Sequence, residues 1–109
     1  MAKLIVISWR DIPAQVIAKL GRETAKVPLS QRFQEAVDRA AMRAGRGSSD
    51  AYLADWKRSE PRECGNDLAT EAAAEAARLE ARYSDADLER LIRAHGVAAS
   101  VAPGTPDPR

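Results

Sequence analysis

The sequence contains one cysteine, Cys64, and one histidine, His95, among its 109 residues. A single cysteine excludes an intramolecular disulfide, and one residue of each type cannot supply the ligand spacing of a zinc site. A phosphate-binding loop and a dinucleotide-binding fingerprint are also missing. We therefore expect no metal and no cofactor.

The two residues could act together, because a nearby imidazole can activate a thiolate nucleophile. No third orienting residue and no oxyanion-hole motif is recognisable beside either of them. His95 stands at a predicted helix end, where the dipole favours a cation, and Cys64 equally suits a small buried position. The sequence therefore predicts no catalytic residue.

Long apolar runs are absent as well. No stretch approaches the roughly 20 residues that a membrane span requires, and the N-terminus lacks the features of a secretory signal. The formal net charge of +1 is too small to favour nucleic acid as a partner. With 45% hydrophobic and 30% charged residues, the chain has the composition of a single soluble domain. We expect a cytoplasmic protein that neither spans a membrane nor binds nucleic acid.

The β-branched residues are concentrated near the N-terminus. Leu4–Ile7 is an unbroken apolar run, which predicts a central strand over 3–9 with both faces covered. A break at 10–13 precedes a run over 14–20 that alternates between apolar and polar residues. Gly21-Arg22 fits a two-residue hairpin turn, and 23–27 continues the alternation up to Pro28 at the end of an edge strand. These runs predict a three-stranded antiparallel sheet.

The remainder of the chain has helical periodicity. Helices are predicted near 31–44, 50–56, 67–83 and 85–95, with start signals at Ser30 and Ser84 and stop signals at Gly45 and Gly96. The polar stretch 57–62 could be a loop or a fourth short strand. The fold class is therefore α+β, with one domain over residues 1–96 and a disordered tail over 97–109. The predicted core consists of Leu4, Val6, Val16, Ala18, Val27, Phe33, Val37, Leu68, Leu79, Leu88 and Ile92.

Recognition chemistry is concentrated in Trp9-Arg10-Asp11, where the first strand ends. One interpretation is structural: Asp11 caps the turn and Arg10 pairs with a carboxylate on a helix. The alternative is a surface that faces a partner, because tryptophan and arginine are typical of binding hot spots. For that alternative we predict a partner-binding surface made of Trp9, Arg10, Asp11, Gln15, Tyr52 and Trp56.

The segment WRDIPAQV at 9–16 is distinctive, and GRETAKVPLSQRFQEAVDRAAMRAG and DAYLADWKR follow at 21–45 and 50–58. In these segments the sequence resembles the small bacterial proteins of the virulence-factor family, from about Ala2 to about Ile92. These proteins are related to a domain of conserved virulence factor C-type proteins. Relatives of this short form are associated with folate- and corrinoid-linked one-carbon enzymes. The resemblance therefore implies an accessory role beside such an enzyme.

Two functions follow as expectations. The first is a noncatalytic accessory or adaptor protein that docks a larger cytoplasmic enzyme or complex. The second is a small enzyme or ligand-binding component that uses Arg10 and Asp11, together with Cys64 and His95. If these four residues line one concave pocket, the second function gains support. If they are scattered, the first is favoured.

Overall fold

The fold is a five-stranded antiparallel sheet with helices packed on one face, which confirms the predicted α+β class. A computed structural model describes residues 2–45 and 49–97. The elements run in the order β1 (Ala2–Trp9), β2 (Ile12–Leu20), β3 (Glu23–Pro28), α1 (Gln31–Arg43), α2 (Ser49–Ala54), β4 (Trp56–Arg58), β5 (Arg62–Cys64), α3 (Leu68–Arg82) and α4 (Asp85–Arg93).

The strand order is β3-β2-β1-β4, and β5 pairs with the other half of β1, on the same side as β4. β1 is therefore the central strand, as predicted, and β3 forms one edge with Pro28 at its end. The sequence predicted three strands and left a fourth open at 57–62. The structure instead has two three-residue strands in this part of the chain, β4 and β5.

The turn between β1 and β2 is shorter than predicted. Arg10 and Asp11 alone form it, whereas Ile12 and Pro13 already belong to β2. Pro13 lies opposite Ser8 at a shift of register, where the missing N–H of a proline is tolerated. At the next hairpin, Gly21 has a φ of +61°, which matches the predicted glycine position in a two-residue turn.

The core lies between the sheet and the helices α1, α3 and α4. Alternate residues of β1 and β2, among them Leu4 and Val16, pack there against helical residues such as Phe33. Nine of the predicted core residues are buried, while Val6 and Val27 are partly buried and pack against the cluster. The helix phases predicted from the sequence are therefore confirmed.

The opposite face of the sheet differs from the prediction. We expected other elements to cover both faces of β1, but Ile5, Ile7 and Ile17 lie outside the core cluster and outside the residues packed against it. Ile5 is nevertheless only 3% exposed. Within the described residues, the helices pack on one face of β1 only.

The helix ends follow local signals closely. Gly45 and Gly96 have positive φ just after α1 and α4, and Ser84 forms a capping box with Asp87. Ser30 stands at the N-cap of α1, but its hydroxyl binds Glu80 of α3 instead of the first turn. The predicted helix over 50–56 ends at Ala54, because Trp56 pairs with Trp9 in the sheet.

An ion-pair cluster joins α3 to β5. Glu75, whose side chain is 11% exposed, accepts hydrogen bonds from Arg62 at 2.9 Å and from Arg78 at 2.6 and 2.9 Å. Burial raises the pKa of Glu75, but the hydrogen bonds and charges of the two arginines outweigh it and hold the pKa below its ordinary value. The carboxylate therefore fastens the short strand β5 to the helical layer.

The connector 46–48 and the tail 98–109 lie outside the described residues, so the predictions made for them, and the division at residue 96, stay predictions. In the described ranges, no helix has the length and apolar character to cross a membrane.

Candidate functional site at the β1–β2 turn

The turn at Arg10 and Asp11 is held by backbone contacts from two distant segments. The Arg10 N–H donates to the carbonyl oxygen of Asp55 at 2.9 Å, and the Asp11 N–H donates to that of Gly96 at 2.8 Å. Arg10 has a φ of +52°, which is uncommon for a residue with a side chain. The surrounding structure therefore fixes this turn in a conformation that the local sequence alone does not favour.

The Arg10 side chain is fixed from three directions. Its Nη2 lies 3.2 Å from Oδ2 of Asp55, in a pair whose side chains are 19% and 21% exposed. Its Nη1 donates to the carbonyl oxygen of His95 at 2.9 Å, and its guanidinium lies 5.0 Å from the ring centroid of Trp9. The predicted pairing of Arg10 with a carboxylate is thus confirmed, with an aspartate just after α2 and not within a helix.

Asp11 makes a second ion pair at the same turn. Its Oδ1 accepts a hydrogen bond from Nζ of Lys57 at 2.7 Å. Lys57 reaches this position because β4 pairs antiparallel with the end of β1, which places Lys57 opposite Ser8. The pairing of the strands therefore assembles the site.

Three aromatic residues extend inward from the turn. The Trp9 ring stacks on Tyr52 with centroids 6.1 Å apart, and Tyr52 meets Trp56 edge-on at 5.6 Å. Trp9 is 0% exposed and donates its indole N–H to the Tyr52 carbonyl at 2.9 Å. Burial and the negative charge of Asp38 raise the pKa of Tyr52, so its hydroxyl stays protonated at neutral pH.

The burial of Trp9 corrects one part of the predicted partner-binding surface. A fully buried ring cannot contact a partner, so Trp9 supports the turn from beneath and is not itself a contact residue. Trp9 was predicted at the surface because tryptophan is typical of binding hot spots, but residue type alone does not distinguish a contact residue from a core residue. The outer aromatic, Trp56, is half-buried and lies at the surface.

A shallow cavity of about 530 Å³ opens at this turn. We call its polar and aromatic lining, Arg10, Asp11, Asp55, Trp56 and Lys57, the turn site. Two cations and two carboxylates balance there around one aromatic ring, an arrangement suited to recognition of a partner or ligand by hydrogen bonds and apolar contact. The sequence did not predict Asp55 or Lys57, although the acidic and basic residues on either side of Trp56 were a possible signal.

The remaining candidates lie elsewhere. Gln15 is paired with Ile7 and lies on the face of the sheet away from the helices. Cys64 pairs with Ala2 at the far end of β1, roughly 23 Å along the strand from Trp9. His95 contributes its backbone carbonyl to Arg10. The structure therefore brings Arg10 and Asp11 into one cavity but does not bring Cys64 there, and a Cys64–His95 catalytic pair is wrong.

Within residues 2–45 and 49–97, no three histidine, cysteine, aspartate or glutamate side chains come together as a metal site would require.

The comparisons with known proteins agree with the segments noted in the sequence. A family model described as "Virulence factor" matches residues 7–92, which include the last three residues of β1, the turn site and the helices up to Ile92. The chain belongs to the virulence factor family. No curated protein and no solved structure matches it. The family match covers Arg10, Asp11, Asp55, Trp56 and Lys57, so the turn site lies within the family domain.

Proposed function

We propose that this virulence factor family protein is a noncatalytic accessory or adaptor protein that docks a larger cytoplasmic enzyme or complex through the turn site. The carrying observation is that Arg10 and Asp11 enter one cavity already paired, with Asp55 and Lys57 respectively. Charged groups held in this way are ordered before a partner arrives. Binding then costs less side-chain entropy.

The partner class follows from the resemblance to the short forms of the family. A folate- or corrinoid-linked enzyme of one-carbon metabolism is the partner we propose to test first. In such a complex, Trp56 would supply the apolar contact, while Lys57 and Asp11 would supply polar contacts at the rim. Aromatic and charged residues in this arrangement are typical of binding hot spots.

A second function is supported by the cavity itself. Its volume of about 530 Å³ lies within the range of small-molecule sites, and Arg10 could orient an anionic group. In this alternative the protein is a ligand-binding component that uses Arg10 and Asp11 without Cys64.

The test is affinity capture of the tagged protein from its native host, followed by mass spectrometry and by measurement of affinity for the purified partner. We expect a stoichiometric enzyme partner whose affinity falls about tenfold or more with Trp56→Ala, since a hot-spot truncation costs about 2 kcal/mol. The exposed Arg43→Ala on α1 is the control and should leave affinity unchanged.

Thermal unfolding of each variant separates binding from stability. Unchanged affinity in both Trp56→Ala and Lys57→Ala would contradict docking through the turn site. If no protein is captured and a small anionic metabolite co-purifies with wild type but not with Arg10→Gln, the ligand-binding function is favoured instead.

A further inference from the structure

The face of the sheet turned away from the helices has an ordered pattern. We call this surface the open sheet face; the strand registers assign Lys3, Ile5 and Ile7 of β1 to it, with their partners Lys19, Ile17 and Gln15 on β2. The outer strands continue these rows with Thr24, Lys26 and Pro28 of β3 and with Arg58 and Glu63 on the other side.

Three isoleucines form its apolar centre. Ile5 and Ile17 are direct partners, and Ile7 lies two residues further along β1, so the three make one contiguous patch. None of them belongs to the core cluster of the described residues. A strand with an unbroken apolar run is typical of a sheet that is covered on both sides. This sheet has its own helices on one side.

Cations surround the patch. Lys3, Lys19, Lys26 and Arg58 border the isoleucines, and Glu63 is the carboxylate among the paired strand positions of this face. The Lys3 Nζ lies 3.6 Å from Glu63, whereas Lys19 and Lys26 are exposed. A protein with a net charge of +1 therefore presents most of one sheet face as positive.

We infer that the open sheet face binds an amphipathic helix of a protein partner, whose apolar stripe is flanked by aspartate or glutamate. This inference rests on the proposed adaptor function and identifies a surface distinct from the turn site. The apolar stripe would pack on the accessible parts of Ile7 and Ile17, since Ile5 between them is only 3% exposed. Its carboxylates would pair with Lys19 and Lys26. The stems of these lysines add apolar contact beside the isoleucines.

The dimensions suit a helix. β1 has eight residues, so it spans roughly 26 Å, which is the length of a helix of about 18 residues.

Charge argues against two other occupants. A second copy stacked face to face would bring lysines against lysines, which is unfavourable when water is excluded. Single-stranded nucleic acid would be attracted by the cations, but the positions of β1, β2 and β3 on this face include no aromatic ring on which bases could stack. An acidic amphipathic helix would offer an apolar stripe to the isoleucines and carboxylates to the cations.

The test uses the full chain and two synthetic peptides of about 18 residues each. One carries leucine along one helical face with glutamate on both flanks, and the other has lysine at the glutamate positions. We expect the glutamate peptide to bind at least about tenfold more tightly at low ionic strength, and to weaken as salt is added. Amide chemical-shift changes should centre on β1 and β2.

Two variants locate the binding. Ile17→Thr keeps a β-branched residue, and Lys26→Glu changes an exposed position, so both should fold while weakening the glutamate peptide about tenfold. The matched controls on α1 are Met42→Thr, where the native side chain is 72% exposed, and Arg43→Glu. Both controls should bind as wild type.

Several results would overturn the inference. If the two peptides bind equally, or if both sheet-face variants bind the glutamate peptide with wild-type affinity, an acidic helix is not the occupant of this face. A dimer in sedimentation that Ile17→Thr dissociates assigns the face to a second copy, and binding of oligo-dT that Lys26→Glu abolishes assigns it to nucleic acid. If the chemical shifts of the Ile5 and Ile17 amides change when the chain is truncated after Val97, the open sheet face is assigned to the protein's own tail.

Failure here is distinguishable from failure of the proposed function. If the captured partner depends on Trp56 but not on Ile17 or Lys26, the adaptor function stands and the open sheet face has no part in docking.

Discussion

Trp9 is a residue type common in binding sites, but in this structure it occupies a core position. Its ring is buried, stacks on Tyr52 and carries the Arg10 guanidinium above it. Gly96 lies close to this ring, since a Cβ at its position would be 3.0 Å from a ring carbon, and its carbonyl oxygen accepts a hydrogen bond from the Asp11 N–H. The turn site therefore depends on a tryptophan that a partner would never touch.

Truncation of Trp9 should destabilise the protein severely. Trp9→Ala removes a fully buried ring and leaves a cavity, so we expect a loss of about 3–5 kcal/mol in the free energy of unfolding. The half-buried Trp56→Ala should cost about 1 kcal/mol, since less apolar area returns to water. Urea unfolding followed by circular dichroism measures both. Equal losses would show that Trp9 is not the inner support of the site.

Gly96 should tolerate alanine less well than Gly21. Both have positive φ, +85° and +61°, so alanine costs about 1–2 kcal/mol of backbone strain at either position. A Cβ at Gly96 would also lie 3.0 and 3.2 Å from two carbons of the Trp9 ring, whereas one at Gly21 would meet nothing within 4 Å. The thermal midpoint of Gly96→Ala should therefore fall further, and an equal or smaller fall would contradict the close approach.

At the scale of secondary-structure elements, the helix α3 connects several parts of the fold. It covers the inner face of the sheet, binds Ser30 at the start of α1 through Glu80, and holds β5 through Glu75. These links join segments about 13 and 50 residues apart in sequence. A substitution in α3 that breaks these links should therefore affect both the start of α1 and the strand β5.

Glu75 makes stability depend on pH in a definite direction. Because its pKa is lower in the folded chain than the unfolded value of about 4.3, its contribution is complete above that value and is lost as pH falls through the folded pKa. Glu75→Gln should cost about 1–2 kcal/mol at pH 7, a modest amount because both arginines remain solvated. The difference from wild type in thermal unfolding should narrow as the pH falls below the unfolded pKa of about 4.3. The exposed Glu35→Gln is the control, and a difference that stays constant with pH would contradict the assignment.

Elements with local signals were predictable and elements created by distant pairing were not. Ser84 begins α4 with its own capping box, and Gly45 and Gly96 end helices with positive φ, so the predicted bounds differ little from the structure. β4 and β5 have three residues each and no apolar alternation of their own. They become strands because β1 offers unpaired backbone groups, and no local pattern in 56–64 records this.

The candidate site likewise contains residues that were predictable from the local sequence and residues that were not. Arg10 and Asp11 were predicted because they follow an apolar run and precede a proline. Their partners Asp55 and Lys57 were not, because β4 must first pair with β1 to bring them close. Trp9 was assigned to the surface because a tryptophan beside an arginine is typical of binding hot spots, whereas the structure buries its ring completely.

At the scale of the whole molecule, the sheet consists of the long antiparallel strands β1, β2 and β3 and the two short strands β4 and β5. β1 pairs with β2 from Lys3 to Trp9, while β4 and β5 each contribute three residue pairs. β4 and β5 also lie at the sheet edge with mostly exposed side chains. Stability is therefore unevenly distributed across the sheet.

Native-state hydrogen exchange should resolve this difference. Amides of β4 and β5 should exchange through local opening, with a free energy at least roughly 2 kcal/mol below that of the amides joining β1 to β2. The latter should follow the global unfolding free energy from urea titration. Equal protection in all five strands would show instead that the sheet opens as one unit.

The late arrival of β4 also bears on synthesis of the chain. Trp9 and its partner Trp56 are separated by 47 positions, which at 5–20 residues per second corresponds to roughly 2–10 s of translation. During that interval the β1–β3 hairpins can form, while the far side of β1 still presents unpaired N–H and C=O groups beside an apolar run. A newly made chain is therefore most open to unwanted strand pairing before residues 56–64 emerge, and chaperones that protect nascent chains would act on it in this interval.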